Sequence, residues 1–93
     1  MRVLGKISGA GQVTYAERPA LNAQYEITVS EDRGMKRGVG QIRTDIGAIM
    51  EMMQANKVML TLEGGGQVEI VVRQFGSSSN WADIAVSGSI PGY

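Results

Sequence analysis

The sequence contains no cysteine and no histidine. These two absences exclude disulfide bonds, metal sites with thiolate or imidazole ligands, a cysteine nucleophile and a Ser-His-Asp triad. Catalysis would have to use Asp, Glu, Lys, Tyr, Ser or Thr. The candidate carboxylate pairs are Glu63 with Glu69 and Asp45 with Glu51, and we interpret them as surface residues. The sequence therefore predicts no catalytic residue, no metal ligand and no cofactor-binding residue, and nothing in it points to an enzyme.

Aromatic residues are also scarce, at 5% of the 93 residues, and neither sign of charge prevails. Nine basic side chains balance nine acidic ones, so no uniform field attracts nucleic acid or a membrane surface to the whole molecule. Hydrophobic residues reach 43%, which is ordinary for a folded chain. These values predict a single globular domain over 1–93 with an aliphatic core, ending in a flexible, glycine-punctuated tail at 87–93.

Long hydrophobic runs are missing as well. No segment approaches the ~20 apolar residues of a membrane-spanning helix. Lys6 and several glycines interrupt the region where a secretory signal would carry its apolar stretch. We therefore expect a cytoplasmic protein with no membrane partner.

Glycine, in contrast, is abundant, with 13 residues against a usual frequency of about 7%. None of the glycine clusters matches a phosphate-binding loop, because the third glycine or the Gly-Lys-Ser/Thr ending is absent. The pattern Gly-x-Gly-Gln followed by Val or Ile occurs three times, beginning at Gly9, Gly38 and Gly64. We interpret these copies as turns that lead into strands.

Most of the chain alternates between apolar and polar residues, as half-buried strands do. The predicted strands are 2–8, 12–17, 23–30, 38–43, 57–63, 67–73 and 81–87. In the first of them Val3, Gly5 and Ile7 share the inward face and Leu4 is the exception on the polar face. A charged loop, 30–37, separates the third strand from the fourth.

Residues 45–55 change to a helical period. Ile46, Ile49, Met50 and Met53 fall on one stripe, which predicts that this face is buried. A side-chain oxygen of Thr44 or Asp45 would cap the first turn.

The two strands around Gly64–Gly66 predict a hairpin. We expect paired positions that sum to 130, so that Leu60 faces Ile70 on the inner side and Met59 faces Val71 on the outer side. The apolar Met59–Val71 pair then lies on the face of the hairpin that we expect to be exposed to solvent.

The elements follow the order β-β-β-β-α-β-β-β. This order predicts an α+β fold: a small antiparallel β-barrel or curved sheet of about six to seven strands with one inserted helix. An OB-like arrangement is one possibility, with 2–17 as a single bent strand and 81–87 as an addition.

The candidate interaction surface combines the outer hairpin pair with two further groups. Phe75 and Trp81 flank a serine-rich loop, 76–80, and Trp81 begins its strand in the outward phase. The charged loop supplies the other group, which consists of Arg33, Lys36 and Arg37.

The function is not determined by these patterns, and two hypotheses remain open. The first is a small non-enzymatic interaction module that binds an unidentified protein partner or itself, as a weak homodimer. The alternative is an OB-type domain for single-stranded nucleic acid. We expect little or no nucleic-acid binding, because Glu31 and Asp32 neutralise most of the charge in the basic loop and few aromatics face outward.

Overall fold

The computed structural model describes residues 2–75 and 81–93. Six strands and one helix follow each other along the chain: β1 (Arg2–Tyr15), β2 (Leu21–Asp32), β3 (Met35–Arg43), α1 (Ile46–Gln54), β4 (Val58–Thr61), β5 (Gln67–Phe75) and β6 (Trp81–Ser87). The first two predicted strands are one continuous strand, and the serine-rich loop at 76–80 lies outside the described residues.

The strands close into a barrel in the order β1-β2-β3-β6-β5-β4, and every neighbouring pair is antiparallel. This confirms the predicted small antiparallel barrel with one inserted helix. The chain order also agrees with the OB-like description, since one long strand, two further strands, the helix and two more strands precede the additional β6. That strand lies between β3 and β5 and completes the barrel.

The core is mainly aliphatic, as the composition predicts, and it also contains two tyrosines, Tyr15 and Tyr25. Strict alternation along β2 places Tyr25, Ile27 and Val29 inside, at 5%, 0% and 0% exposure. The other strands and the helix contribute the remaining fully buried side chains of large volume: Val13, Ile42, Ile49, Met52, Leu60, Val68 and Ile84.

The predicted inward position of Val3 is wrong. The pairing of β1 with β2 shifts between Val3 and Gly5, so that Leu4 is an extra residue in β1. A bulge of this kind reverses the side-chain phase on one side of it. Val3 is therefore 66% exposed, while Leu4 packs against the core.

Two of the three Gly-x-Gly-Gln copies are not turns. The first lies within β1 and the second within β3, and only the third occupies a turn, between β4 and β5. A Cβ atom on Gly11 would lie 2.1 Å from the carbonyl oxygen of Thr61, and one on Gly40 would lie 1.8 Å from that of Glu26. These glycines permit the close approach of β1 to β4 and of β3 to β2.

The charged segment between β2 and β3 is also more regular than predicted. The two strands pair as far as Asp32 and Met35, which leaves a two-residue turn. Arg33 and Gly34 both have positive φ angles, 54° and 80°, as a type I′ hairpin turn requires. The segment is thus mostly strand and not an extended loop.

The helix buries a different face from the predicted one. Asp45 caps it, because its Oδ2 accepts a hydrogen bond from the backbone N of Ala48 at 3.1 Å. The buried residues are Ala48, Ile49 and Met52, whereas Met50 and Met53 are 56% and 42% exposed. Nearly every position of α1 is apolar, so the hydrophobic pattern alone could not choose between the two faces.

Adjacent methionines in α1 offer a matched test of this orientation. We expect Met52→Ala to lower the free energy of unfolding by about 2–5 kcal/mol, because it leaves a cavity in the core. Met53→Ala should change it by no more than about 0.5 kcal/mol, as surface substitutions do. Urea denaturation of both variants measures the difference, and equal losses would contradict the orientation.

The register of the β4–β5 hairpin is two residues away from the predicted one. Val58 faces Ile70 and Leu60 faces Val68, so paired positions sum to 128 and the loop covers 62–66. Side chains keep their predicted faces, because a shift of two residues preserves the alternation. The backbone N of Glu63 donates to the Tyr25 hydroxyl at 2.9 Å, so this N–H is bound to β2 and not to β5.

The two ends of the barrel are covered by different segments. The helix lies at one end, where the Thr44 hydroxyl donates to the carbonyl oxygen of Asn22 at 2.9 Å. The last residues of the chain lie at the other end. There Ile90 is buried at 7% exposure, next to Gly38, and Tyr93 packs beside Gly5. The tail that the sequence predicts to be flexible thus contributes a core residue.

No helix in the described ranges is long and apolar enough to cross a membrane.

Candidate interaction surface

An apolar row crosses the outer wall of the barrel on three adjacent strands. Val39 on β3 is directly opposite Ala85 on β6, and Ala85 is directly opposite Val71 on β5. Val39 and Val71 are 49% and 52% exposed, although β-branched residues usually pack against neighbours. We call these three residues the apolar row.

The helix extends the apolar row at its β5 end. Met53 and Val71 line the same groove, together with Asn56 and Glu69. Met53 is among the exposed large hydrophobic residues of the domain. The apolar surface therefore continues from the sheet onto the last turn of α1.

Polar side chains flank the apolar row on both sides. On the first flank, Arg37, Ser87 and Glu69 are two residues away from Val39, Ala85 and Val71 respectively. On the second flank, Gln41 faces Asp83 and donates a hydrogen bond from its Nε2 to Asp83 Oδ1 at 3.1 Å. Arg73 lies beside them as the extra residue of a bulge in β5 and lines a shallow groove with Val39 and Gln41. An apolar centre with a polar rim is the usual anatomy of a protein interface.

The predicted Met59–Val71 pair does not exist. Met59 faces Glu69 on β5 and Thr14 on β1, while Val71 faces Ala85. Both side chains are on the outer wall as predicted, but the two-residue shift in register assigns them different partners. Met59 is half-buried and lines a groove with Tyr15 and Lys57, below the end of the helix.

Trp81 is on the outer wall, as its phase predicts. It faces Arg43 on β3, whose guanidinium carbon lies 5.8 Å from the centroid of the indole ring, a cation–π distance. One polar row, which contains Gln41 and Asp83, separates this pair from the apolar row. Phe75 pairs with Ala82, and its side chain is outside the described part of the structure.

The three basic residues of the candidate surface are dispersed. Arg33 occupies the turn itself. The ammonium group of Lys36 donates to the backbone oxygen of Tyr93, whereas Arg37 lies in the opposite phase, in line with Val39. Only Arg37 therefore borders the apolar row, and no basic cluster forms.

Sequence reasoning missed Val39, Ala85 and Met53 as surface residues. Val39 carried a signal, because it is the apolar exception on a strand whose inward positions are Gly38, Gly40 and Ile42. Ala85 shares the outward phase of Trp81, but nothing in the sequence places Ala85 or Met53 beside Val71, since that depends on the pairing of β5 with β6 and on the rotation of the helix.

The acidic side chains that could support acid–base chemistry either bind other groups or lie in different parts of the structure. Asp45 caps the helix, and Glu51 forms an ion pair with Arg18 at 2.5 Å. Glu63 lies beside Gly9 in the hairpin loop, whereas Glu69 faces Met59. Within residues 2–75 and 81–93, no group of three or more acidic residues is arranged to hold a metal ion.

Glu51 also links the helix to the end of β1. The Tyr15 hydroxyl donates to Glu51 Oε1 at 3.2 Å, and the tyrosine ring is buried. Burial raises the pKa of Tyr15 above its usual value, and the hydrogen bond to Glu51 raises it further. Both effects favour the neutral phenol, and the hydrogen bond of Tyr15 to Glu51 attaches the helix to the end of β1.

The raised pKa of Tyr15 predicts a loss of stability at alkaline pH. The unfolded chain releases the phenol proton near pH ~10, whereas the folded chain retains it to higher pH. The contribution is therefore complete below pH ~10 and disappears as the pH rises through the folded-state pKa. We expect Tyr15→Phe to flatten this part of the urea-stability profile; identical alkaline slopes for the two proteins would contradict the assignment.

Comparison with protein-family models, curated proteins and solved structures finds no significant match to this chain. The argument for function therefore depends on the geometry of the chain itself.

Proposed function

We propose that this domain is a non-enzymatic interaction module that binds a protein surface through the apolar row. The single observation that carries the proposal is the pair of half-exposed valines, Val39 and Val71, held on either side of Ala85 by three hydrogen-bonded strands. The strands β3, β6 and β5 each pair with a neighbour on both sides. Turning the apolar side chains into the core would therefore require breaking strand pairs on both sides.

Rigidity favours binding at this face. Binding is weakened when flexible side chains and loops become ordered at an interface, by about 0.5–1.5 kcal/mol for each mobile side chain. Valine has few rotamers, and the strands that carry it are already fixed. The apolar row therefore presents a preorganised surface with a low entropic cost of binding.

The proposal is tested by comparing what the tagged chain retains from an extract of its source cells. Val71→Lys and Val39→Lys should each release a retained protein that the unmodified chain holds. Val3→Lys is the matched control, because Val3 is 66% exposed on β1, outside the apolar row. Identical sets of retained proteins for all four chains would contradict the proposal.

Single-stranded nucleic acid remains the alternative ligand, and Trp81 reports on it. A stacked base contributes about 1–3 kcal/mol, so the outward pair of Trp81 and Arg43 would by itself bind an oligonucleotide weakly. We expect an oligonucleotide to leave the Trp81 fluorescence unchanged at physiological salt. Saturable quenching that weakens steeply with salt would favour nucleic-acid binding instead.

A further inference from the structure

The two flanks of the apolar row differ in a way that suits self-association. The first flank presents Arg37, Ser87 and Glu69, in the order β3, β6, β5. The second presents Gln41 on β3 and Asp83 on β6, and on β5 it presents Gln74, which is directly opposite Asp83, together with Arg73 in the bulge next to it. On β5 the two flanks thus carry opposite charges, with Glu69 on one side of Val71 and Arg73 on the other.

We propose that the surface bound by the apolar row is a second copy of this chain, related by a two-fold axis that runs along the row. This inference rests on the proposed function and names its partner. A two-fold interface brings the same patch of both copies together, so each contact occurs twice. Rotation about the row places the first flank of one copy against the second flank of the other.

The contacts generated by this axis are complementary. Val39, Ala85 and Val71 meet their own copies and exclude water. Glu69 meets the partner's Arg73, Ser87 meets the partner's Asp83, and Arg37 meets the partner's Gln41. No two like charges face each other on these three strands, and the Glu69–Arg73 contact forms two ion pairs in each dimer.

A two-fold axis parallel to β6 is the other way to place the apolar row on itself. It would set Asp83 against the partner's Asp83 on the axis. Like charges that face each other across an interface cost several kcal/mol. This second axis would also bring Arg37 against the partner's Glu69, but it sets two aspartates against each other on the axis itself, whereas the axis along the row opposes no like charges. The charge pattern therefore favours the axis along the row.

The size of the face sets the expected strength of the dimer. Strands are ~4.8 Å apart, and two residues along a strand cover ~7 Å, so three strands and three rows of side chains span on the order of 150–300 Å². Stable interfaces bury ~800 Å² on each partner. The barrel wall is also convex, so we expect a weak and rapidly reversible dimer.

Sedimentation velocity of the purified chain, from micromolar to millimolar concentration, measures this equilibrium. The sedimentation coefficient should rise with concentration. Val71→Lys and Val39→Lys should each remove the rise, whereas Val3→Lys should preserve it. All three side chains are exposed, so circular dichroism and urea denaturation should show folded proteins of similar stability.

Exchange of charges tests the proposed axis. Glu69→Arg places two arginines against each other at both symmetric contacts, and Arg73→Glu does the same with two glutamates. Each single variant should weaken the dimer about tenfold or more, since like charges across an interface repel strongly. The double variant, Glu69→Arg with Arg73→Glu, should restore association.

The possible outcomes separate this inference from the proposed function. A chain that stays monomeric at millimolar concentration overturns the dimer, but the proposed function stands if Val71→Lys still releases a retained protein. If neither Val71→Lys nor Val39→Lys weakens the dimer, the copies meet through another surface and the inference is overturned. One such surface is the part of β1 before Gln12, which does not pair with β4. Failure of the double variant to restore association overturns the proposed axis.

Discussion

Replacing Leu60 with aspartate is expected to unfold the domain. Leu60 is 0% exposed and lies between Val13 on β1 and Val68 on β5, which are 0% and 1% exposed. A carboxylate at this position has no hydrogen-bonding partner and no counter-ion. Burying an unpaired charge costs at least several kcal/mol, which is comparable with the total stability of about 5–15 kcal/mol for a small domain.

The neighbouring residue supplies the control. Thr61 points to the outer wall, where its hydroxyl accepts a hydrogen bond from Gln67 Nε2 at 3.2 Å. In Thr61→Asp the side chain still offers a solvent-exposed oxygen that accepts a hydrogen bond. The main loss is the lower preference of aspartate for a β-strand, which costs about 1 kcal/mol or less. Far-UV circular dichroism should show a folded Thr61→Asp variant and an unfolded Leu60→Asp variant; the reverse result would contradict the facing of β4.

The second large effect is expected at Gly40. The position of a Cβ atom there is only 1.8 Å from the carbonyl oxygen of Glu26 and 2.8 Å from the Cα of Ile27. Both atoms belong to the backbone of β2, so relief requires the two strands to separate. We expect Gly40→Ala to lower the free energy of unfolding by more than about 3 kcal/mol, in the range that marks a severe steric effect.

Gly64→Ala is the matched glycine substitution. No atom lies within 4 Å of the added methyl group in the β4–β5 turn. Alanine there restricts the unfolded chain, so the free energy of unfolding should stay the same or rise by up to about 1 kcal/mol. Urea denaturation midpoints of the two variants provide the measurement, and comparable losses at both glycines would contradict the close approach of β3 to β2.

Side-chain facing was the part of the fold that the sequence predicted best. The alternation at Tyr25, Ile27 and Val29 places all three residues inside, and the bounds of β6 agree with the predicted 81–87. Such agreement is expected, because adjacent side chains in a strand must point to opposite faces. In the described part of β1 the prediction failed where a bulge breaks the alternation, at Val3 and Leu4.

The candidate surface was predicted in part. The outward phases of Val71 and Trp81 are correct, because phase is a local property of the strand. The partner of Val71 was wrong, because register depends on contacts far along the chain, such as the Tyr25 hydroxyl that binds the backbone N of Glu63. Arg33, Lys36 and Arg37 do not lie together, because Arg33 is in the turn and adjacent residues in a strand point to opposite faces.

Local chemistry thus determined much of this protein from the sequence by itself. It determined the mainly aliphatic composition of the core, a helix capped by Thr44 or Asp45, a series of half-buried strands on either side of that helix, and the exclusion of every site that needs cysteine or histidine. These properties depend on residue type and on spacing within one element. Neither changes with the position of the rest of the chain.

Only the tertiary structure decided which surfaces meet. It selected the buried face of α1, the register of the β4–β5 hairpin and the role of Gly40 inside β3 as a point of close approach. Above all, it aligned Val39, Ala85 and Val71, which belong to three strands that are distant in the sequence. The physical reason is that the alternatives have the same local hydrophobic pattern. An almost wholly apolar helix can bury either face, and a register shift of two residues keeps every side chain on its face, so only long-range packing separates the alternatives.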